Sequence, residues 1–391
     1  QLKELGFDYD WSKTIATSDP DFYHWTQWIF KQLYKDGYAK YVDMPVNWCE
    51  ELGTVLSNDE VIDGKSERGG YPVIRKNMKQ LCIDQAAFAE RLLEGLNEID
   101  WPESTKEMQR NWIGRSTGVE VQFEIVGGGK FSIFTTCIET IYGITFMVLA
   151  PDGDLVQELM PRIKNQDEVK AYIQETVSKS EMDRTELNKG KTGCRLEGIK
   201  AINPVNGREV EVFIGDFVLA NYGTGAVMAV PSHDQRDFEY AIAHNIDRIQ
   251  VIEGRDVSEH AFEKQDYLGK GCKLINSEEF TGLTVEEAKV AITKKLVDMG
   301  IAKETVNYRF REWIFARQRY WGEPVPIVHL EDGTDYVLPD EELPLILPEL
   351  EDYKGHNGKA PLENATEWKQ YNQNGVTVSY THLTLPTNSR I

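Results

Sequence analysis

Cysteines are few in this 391-residue sequence, and none stands in a paired motif. The five cysteines are Cys49, Cys82, Cys137, Cys194 and Cys272, and no Cys-x-x-Cys occurs among them. An odd number of widely spaced cysteines argues against a disulfide framework and against a thiolate metal site. The pattern fits a reducing compartment, so we expect a cytoplasmic protein.

Long apolar runs are also missing. No stretch approaches the roughly 18 apolar residues that a membrane-spanning helix needs, and no signal-peptide pattern follows Gln1. We therefore expect no membrane partner. Because Gln1 is not a natural initiation residue, we expect the sequence to be a fragment of a longer chain.

Basic charge is the third deficit. The sequence has 43 Lys and Arg against 64 Asp and Glu, which gives a formal net charge of −21. Because affinity for phosphates depends on Lys and Arg, any contact with nucleic acid would require a local basic patch. With 41% hydrophobic and 27% charged residues, the composition is that of a globular protein long enough for two or three domains.

The first segment, to about residue 111, is rich in helix signals. Asp19 is a candidate N-cap before Pro20 at the first helical position, and Gly37 is a candidate stop. A second amphipathic helix is predicted over 85–96. We expect an aromatic stripe of the first helix to face the core rather than to stack on bases. Its residues fall at helical spacing: Phe22, Trp25, Ile29 and Leu33.

From about residue 117 the pattern changes to strands. Alternating apolar residues on both sides of the glycines at 127–129 predict a hairpin, and Asn206-Gly207 predicts a second one. Helices are predicted over 167–179 and 284–299, the latter with a Thr284/Glu287 capping box and Gly300 as its stop. This mixture favours a compact β-rich domain, such as a barrel.

The most informative stretch runs from Gly223 to Asp237 and reads GTGAVMAVPSHDQRD. It predicts a tight glycine turn, a short buried strand, and a helix with Ser232 as N-cap and Gln235 as its reciprocal partner. Asp234 and Asp237 then fall in the first helical turns, where free N–H groups and the helix dipole favour negative charge. Taken alone, two carboxylates here would be ordinary capping chemistry.

A second stretch, at 134–143, reads FTTCIETIYG. On their own, Thr135, Thr136 and Thr140 are β-branched residues near the end of a strand, which is common. With the two stretches in this order, the sequence closely resembles the editing domain of the leucyl-tRNA synthetases, whose threonine-rich loop and amino-acid-binding wall they match. The segments at 6–11, 108–116 and 309–322 resemble the catalytic domain of the same family.

The resemblance implies an α/β fold, in which a partial Rossmann-type class I catalytic domain is interrupted by an inserted β-barrel-like α+β editing domain. Residues 1–113 would be a partial catalytic domain with a connective module that lacks zinc ligands. Residues 114–308 would be the editing domain, and 309–377 the return into the catalytic domain. Residues 378–391 break the match and resemble translated adaptor DNA, so they are left out of the fold prediction.

The sequence departs from the family pattern in two places. Many relatives carry paired Cys-x-x-Cys knuckles in the connective module, whereas only Cys49 remains here. Because a tetrahedral zinc requires about four N or S ligands, we predict no zinc and a module held together by packing and turns. In the threonine-rich loop, Cys137-Ile138-Glu139 replaces the usual Arg-Pro-Asp. This change removes a cation and leaves open how the terminal adenosine of the tRNA is held.

The activity that the resemblance implies is ATP-dependent attachment of leucine to tRNA(Leu), with Mg2+ accompanying the ATP, and hydrolytic editing of mischarged tRNA. The partners would be tRNA(Leu), leucine and ATP, and we expect a monomer. Neither nucleotide-binding signature of the class, His-Ile-Gly-His or Lys-Met-Ser-Lys-Ser, occurs in the sequence. We therefore expect the chain as given to be unable to aminoacylate.

The resemblance also implies roles for individual residues. Asp237 would hold the substrate α-ammonium, Thr135 and Thr136 would seat the ester and a water, and Thr140 would exclude leucine. His233 remains open as a base, a structural residue or a contact to the RNA end. The further substrate-binding residues are Met228, Val230, His233 and Asp234 in the editing domain and Asp10, the match to the leucine-ammonium contact, in the synthetic site. Without the resemblance, Asp10 would be a carboxylate in a surface turn.

Three alternatives remain open on sequence grounds. An isoleucyl or valyl synthetase shares the architecture, although the loop spacing and the context at 317–322 favour the leucyl type. A free-standing deacylase of mischarged tRNA would not need the flanking catalytic-domain segments. A non-catalytic tRNA-binding module is disfavoured by the low basic content and by the paired editing motifs.

Overall fold

The computed structural model of the protein divides into two compact units. One unit comprises Gln1–Ile99 and Phe310–Ile391, and the other comprises Asp100–Arg309. The structure describes residues 1–62, 64–177, 192–220, 224–310, 312–317, 319–330, 334–354, 360–368, 370–373, 376–379 and 385–386.

The helices and strands follow in chain order. Residues 1–99 contain helices α1 (Pro20–Lys35) and α2 (Ala89–Gly95) and strands β1 (Ala39–Cys49), β2 (Thr54–Leu56), β3 (Val61–Ile62), β4 (Lys65–Ser66) and β5 (Ile74–Ile83). Residues 100–309 contain helices α3 (Glu103–Ile113), α4 (Asp154–Leu159), α5 (Gln166–Val177), α6 (Gln235–Ala243), α7 (Lys264–Tyr267) and α8 (Val285–Asp298). The strands of that segment are β6 (Ser116–Ile125), β7 (Lys130–Thr135), β8 (Phe146–Leu149), β9 (Gly193–Ile202), β10 (Glu209–Gly215), β11 (Ala226–Ala229) and β12 (Ala302–Asn307). The remaining strands are β13 (Trp313–Ile314), β14 (Ala316–Arg317), β15 (Ile327–His329), β16 (Asp335–Val337), β17 (Gln370–Gln373), β18 (Val376–Ser379) and β19 (Leu385–Pro386).

The first unit is built on a four-stranded antiparallel sheet in the order β13-β5-β1-β2. The long pair of β1 and β5 runs from Ala39 opposite Ile83 to Trp48 opposite Ile74. Helix α1 packs against this sheet through buried Phe30, which belongs to the same apolar cluster as Ala39. The sheet therefore carries the connective module and the N-terminal helix on one framework.

The connective module is held by side-chain packing. Val46, Trp48 and Val55 form a buried apolar cluster, and the Trp48 indole donates a 2.6 Å hydrogen bond to Glu50. Cys49 is fully buried. In the part of the chain that the structure describes, no group of three or more His, Cys, Asp or Glu side chains is placed to hold a metal ion. The lack of zinc itself stays a prediction.

Helix α1 begins and ends where the sequence predicts, but it buries a different face. Asp19 is the N-cap, Pro20 is the first residue, and Gly37 adopts a left-handed φ of 78° just after the end. The predicted core stripe is wrong for Phe22, Trp25 and Ile29, which are 39%, 61% and 54% exposed. Only Leu33 of that stripe packs against the core, where it is half-buried beside the Phe30 cluster. The residues that are buried instead are Tyr23, Gln27, Phe30 and Lys31.

The reason for the rotated face lies in contacts distant in sequence. Both stripes of α1 have helical periodicity, and adjacent residues are separated by about 100° around the axis, so periodicity alone does not choose between them. The buried Gln27 amide donates to the carbonyls of Pro324 and Leu345, and its oxygen accepts from the Leu345 N–H. These backbone partners satisfy the polar Gln27 side chain on the buried face of the helix. The sequence pattern would have placed this side chain on the exposed face.

The second unit contains a seven-stranded mixed sheet. Its order is β11-β8-β10-β9-β6-β12, and β7 pairs with β6. The β8–β10 pair is parallel, and the other pairs are antiparallel. Both predicted hairpins are confirmed: β6 and β7 flank the glycines at 127–129, and β9 and β10 flank Gly207, which adopts a φ of 69°.

The expected barrel is not closed. Strand β7 lies against β11, but no hydrogen-bonded ladder joins these two strands within the described residues. The sheet curls around one apolar core, to which Phe123, Ile133, Leu196 and Ile214 contribute fully buried side chains. The strongly curved open sheet therefore brings the ends of β7 and β11 together without completing a cylinder.

The predicted helices of this unit agree with the structure. Helix α8 has Thr284 as N-cap with a complete capping box to Glu287, and Gly300 follows its end with a φ of 71°. Helix α5 covers the predicted segment, of which positions 178 and 179 lie outside the described residues. The 85–96 prediction corresponds to a short 3-10 turn followed by α2.

Two predicted boundaries can be compared with the units. Helix α3, assigned by sequence to the first domain, lies in the second unit, which ends at Arg309. Most of the predicted adaptor-like tail lies outside the described residues, as does Gly223 of the stretch at 223–237. Of that tail, 378–379 belongs to β18, which pairs with β17, and β19 pairs with β14.

No helix in the described ranges is both long enough and apolar enough to cross a bilayer.

Candidate active site

The threonine loop, residues 135–140, begins where β7 ends. The Thr135 hydroxyl oxygen accepts a 3.1 Å hydrogen bond from the Cys137 N–H, and the Thr140 hydroxyl donates a 2.8 Å hydrogen bond to the Cys137 carbonyl. A 3-10 turn, Ile138–Gly143, carries the chain onward. Thr135 is 8% exposed and Thr140 is 1% exposed, whereas Thr136 is half-buried with its hydroxyl 3.6 Å from the Cys137 sulfur. The loop therefore fixes two threonines by its own backbone.

Two side chains from distant helices hold this loop from outside. On α8, the Lys289 ammonium donates a 2.9 Å hydrogen bond to the Thr136 carbonyl. On α7, the Tyr267 hydroxyl donates a 3.2 Å hydrogen bond to Oε1 of Glu139. Burial raises the pKa of the Glu139 carboxyl above its usual value. Neither Lys289 nor Tyr267 stands in a recognisable motif, so sequence reasoning did not find them.

The aspartate segment, residues 226–237, consists of β11, a turn and the start of α6. Strand β11 pairs antiparallel with β8, after Gly225 has turned the chain with a φ of 67°. The amide of Val230, just after the strand, donates a 3.0 Å hydrogen bond to Oδ2 of Asp237. Asp237 is 6% exposed. The segment therefore folds back so that the second aspartate lies against the end of β11.

The helix start is one place where the sequence prediction is wrong. The N-cap of α6 is Asp234, not Ser232, and its carboxylate accepts from the N–H groups of Arg236 and Asp237 at 2.9 and 3.0 Å. The cause is a turn: the Val230 carbonyl accepts from the N–H groups of residues 233 and 234, which delays the helix. Ser232 is fully buried, and its hydroxyl has no hydrogen-bond partner among the described residues.

His233 is held by backbone on both ring nitrogens. Its Nε2 accepts a 3.0 Å hydrogen bond from the Val251 N–H, which requires the neutral tautomer with the proton on Nδ1. Nδ1 then donates to the Phe262 carbonyl at 3.0 Å. Burial lowers the pKa of His233 to about 4. With both nitrogens engaged, His233 has no lone pair for a substrate water and acts as a structural cross-link.

The remaining predicted substrate-binding residues of the editing domain lie close in sequence to the same turn. Met228 is half-buried against the main core of the unit, and Val230 is 8% exposed. Asp234 is occupied by helix capping. Asp10 belongs to the first unit, where it is exposed and accepts hydrogen bonds from the amide and the hydroxyl of Ser12. The structure therefore gathers the editing residues in one unit and keeps Asp10 in the other.

The threonine loop and the aspartate segment meet at the curl of the sheet. The loop begins where β7 ends, the segment begins with β11, and these two strands lie against each other. Tyr267 connects them, because its hydroxyl binds Glu139 of the loop while its ring meets the His233 ring edge-on at 6.1 Å. The buried Asp237 carboxylate, the half-buried Thr136 hydroxyl, and Thr135 and Thr140 thus lie in the segments that contain or follow these two adjoining strands. Such a set suits a substrate with an ammonium and an ester.

Comparison with known proteins shows which families the chain resembles. Residues 110–297 match the family model described as leucyl-tRNA synthetase, editing domain. Residues 1–192 match the model of the class I tRNA synthetases of the I, L, M and V group. The first match selects the leucyl type within that group. The second extends well outside the editing domain, which disfavours a free-standing deacylase.

The fold is also similar to a solved structure. It superposes on a LeuRS from Agrobacterium radiobacter, determined as a ternary complex with tRNA and LeuAMS, with a TM-score of 0.77 and 29% sequence identity. The similarity covers 98% of this chain and 45% of that chain, so the chain spans less than half the length of the relative. The two family matches together run from residue 1 to residue 297, and the chain therefore belongs to the leucyl-tRNA synthetase family of the class I aminoacyl-tRNA synthetases.

Proposed function

We propose that this chain carries the editing centre of a leucine–tRNA ligase and hydrolyses the ester of tRNA(Leu) charged with a non-cognate amino acid. The observations that carry the proposal are that β7, which leads into the threonine loop, lies against β11, and that Asp237 is held just after β11 by the Val230 amide. A hydrophobic synthetic pocket discriminates one methylene by only ~1–3 kcal/mol, so a second, hydrolytic pocket is needed for accuracy.

Asp237 supplies the anion for the α-ammonium of the substrate. Its carboxylate is buried and oriented by the Val230 amide, so little side-chain freedom is lost when a cation binds. Every aminoacyl ester has this ammonium. Asp237 therefore contributes affinity without selecting the side chain.

The threonines position the ester and exclude the leucine side chain. The Thr135 oxygen already accepts from the Cys137 amide, which leaves its hydroxyl hydrogen for an ester carbonyl or a water. Water then adds to the ester carbon, the tetrahedral intermediate expels the ribose oxygen of the terminal adenosine, and the products are the amino acid and free tRNA. Thr140, locked onto the Cys137 carbonyl, is the wall that excludes the branched side chain of leucine.

The ligase reaction of the whole protein is part of the same proposal. Class I synthetases use ATP, and we assign ATP, Mg2+, leucine and tRNA(Leu) to the complete enzyme, working as a monomer in the cytoplasm. The sequence contains neither nucleotide-binding signature of the class, so its residues do not account for a nucleotide site, and no activation step is assigned to them.

The test is deacylation of isoleucyl-tRNA(Leu) by the purified chain, with two aspartate variants. Asp237→Ala removes the buried carboxylate and is expected to slow hydrolysis by about 30- to 1000-fold, the range for an unpaired charge in a partly desolvated site. Asp298→Ala, at an exposed position on α8, is the matched control and is expected to retain full activity. No hydrolysis by the parent chain, or equal hydrolysis by Asp237→Ala, would contradict the proposal.

A further inference from the structure

Tyr267 has an unusual position for a residue outside both motifs. It is 1% exposed and belongs to the four-residue helix α7. Its hydroxyl donates a 3.2 Å hydrogen bond to Glu139 of the threonine loop. Burial and the neighbouring Glu139 and Cys137 raise the pKa of Tyr267, which keeps the phenol protonated as a donor. This single hydroxyl is thus bonded to the threonine loop at Glu139.

The ring of Tyr267 faces the other half of the site. It packs edge-on against His233, with the ring centroids 6.1 Å apart, and in a tilted arrangement against Phe262, with the ring centroids 5.9 Å apart. His233 is itself fixed to the backbone at Phe262 and Val251. The ring therefore rests on a rigid part of the aspartate segment, while its hydroxyl reaches across to the loop.

Glu139 completes the connection. It is 1% exposed, Oε1 accepts from Tyr267, and Oε2 has no hydrogen-bond partner among the described residues. Burying a carboxyl with one oxygen unsatisfied is costly, so the position is not explained by stability alone. Glu139 lies directly before Thr140, the proposed wall. A shift of this carboxyl would move the wall with it.

We propose that Tyr267 is a positioning residue for editing: through Glu139 it sets the register of the threonine loop against the aspartate segment. This inference rests on the proposed function for its kinetic consequences. Tyr267 touches neither the ester nor the ammonium in this assignment. It acts by holding Thr136 and Thr140 at the distance from Asp237 that a substrate requires, because small displacements of positioned groups are expensive in rate.

The first experiment is kinetic and uses two matched tyrosines. Tyr267→Phe is expected to lower kcat for isoleucyl-tRNA(Leu) about tenfold with little change in KM, because the lost hydrogen bond positions groups for the reaction rather than for binding. Tyr142→Phe is the control: Tyr142 is buried in the same 3-10 turn, and its hydroxyl has no partner among the described residues. It is expected to retain the parent kcat. An unchanged kcat in Tyr267→Phe would overturn the proposal.

A double-mutant comparison separates positioning from a general loss of structure. Glu139→Gln keeps an acceptor oxygen for Tyr267 and is expected to retain most of kcat, whereas Glu139→Ala is expected to match Tyr267→Phe. The double variant with both Tyr267→Phe and Glu139→Ala is expected to be no slower than either single variant, because the two act through one bond. If the decrease in kcat of the double variant equals the product of the two single decreases, the inference is contradicted.

A second measurement needs no deacylation activity and so distinguishes failure of this inference from failure of the proposed function. Cys137 lies in the loop and is half-buried, whereas Cys272, also half-buried, is an internal reference. In Glu139→Ala, labelling of Cys137 by N-ethylmaleimide relative to Cys272, measured by peptide mass spectrometry, is expected to rise about fivefold as the loop loosens. Glu139→Gln is expected to leave the ratio unchanged. The inference is overturned if Glu139→Ala also leaves it unchanged.

Discussion

At the scale of single residues, Thr140 is the residue to which we assign the selectivity of the proposed site. Its side chain is almost completely buried and is locked by the hydrogen bond to the Cys137 carbonyl. A side chain can exclude leucine only if its position is fixed, and this hydrogen bond restricts the rotamer of Thr140. The selectivity of editing is therefore assigned to one fixed side chain rather than to the charge at Asp237.

Replacing Thr140 by alanine is expected to open the pocket to leucine. The variant should hydrolyse leucyl-tRNA(Leu) while still hydrolysing isoleucyl-tRNA(Leu), because the ammonium anchor is untouched. Thr293→Ala is the matched control, since Thr293 is also buried and also donates to a backbone carbonyl, at Lys289. Release of labelled amino acid from each tRNA measures the effect. If Thr140→Ala still spares leucyl-tRNA, the wall lies elsewhere.

His233 gives the fold a defined sensitivity to acid. In the folded chain burial lowers its pKa from 6.5 to about 4. Above pH 6.5 the ring is neutral in the folded and unfolded chains, so it imposes no proton cost. As the pH falls from 6.5 towards 4, the unfolded chain binds a proton that the folded chain does not, and stability is lost by up to about 3 kcal/mol.

Urea unfolding of the chain at pH 7 and at pH 4.5 measures this contribution. The parent chain is expected to lose more stability over this interval than His233→Gln, in which the titrating group is gone. His260→Gln, at an exposed position, is expected to behave like the parent. If the parent and His233→Gln lose the same unfolding free energy between the two pH values, the buried imidazole does not titrate as described.

At the scale of secondary-structure elements, the accurate predictions are those whose causes are local. Helix α8 is specified by its capping box and its terminal glycine, and the hairpin of β9 and β10 by Asn206-Gly207. The inaccurate ones depend on partners far along the chain. The buried face of α1 is chosen by backbone groups near residues 324 and 345, and the late start of α6 follows from the turn at Val230.

The corrected face of α1 leads to a contrast in stability. Phe30→Ala removes a side chain that is 3% exposed and is expected to cost ~3–5 kcal/mol. Trp25→Ala removes a larger side chain that is 61% exposed and is expected to change stability by at most about 0.5 kcal/mol. Urea unfolding measures both. A larger loss of stability for Trp25→Ala than for Phe30→Ala would support the core stripe predicted from the sequence.

At the scale of the whole molecule, the sequence predicts which residues form the candidate site but not the contacts that hold them in place. The two motifs single out the threonines and Asp237 through their resemblance to the editing domain of the family. Tyr267 and Lys289 are missed because one phenol or one amine on a helix has no pattern of its own. Their contribution depends on a sheet that curls until β7 lies against β11, which is a tertiary property.

The central claim is that this chain discriminates between aminoacyl esters by the side chain they carry. The most direct measurement is a competition in one reaction, with the purified chain acting on equal amounts of isoleucyl-tRNA(Leu) and leucyl-tRNA(Leu) carrying different isotopes. We expect isoleucine to be released while leucine stays esterified. Release of both amino acids at the same rate, or of neither, would contradict it.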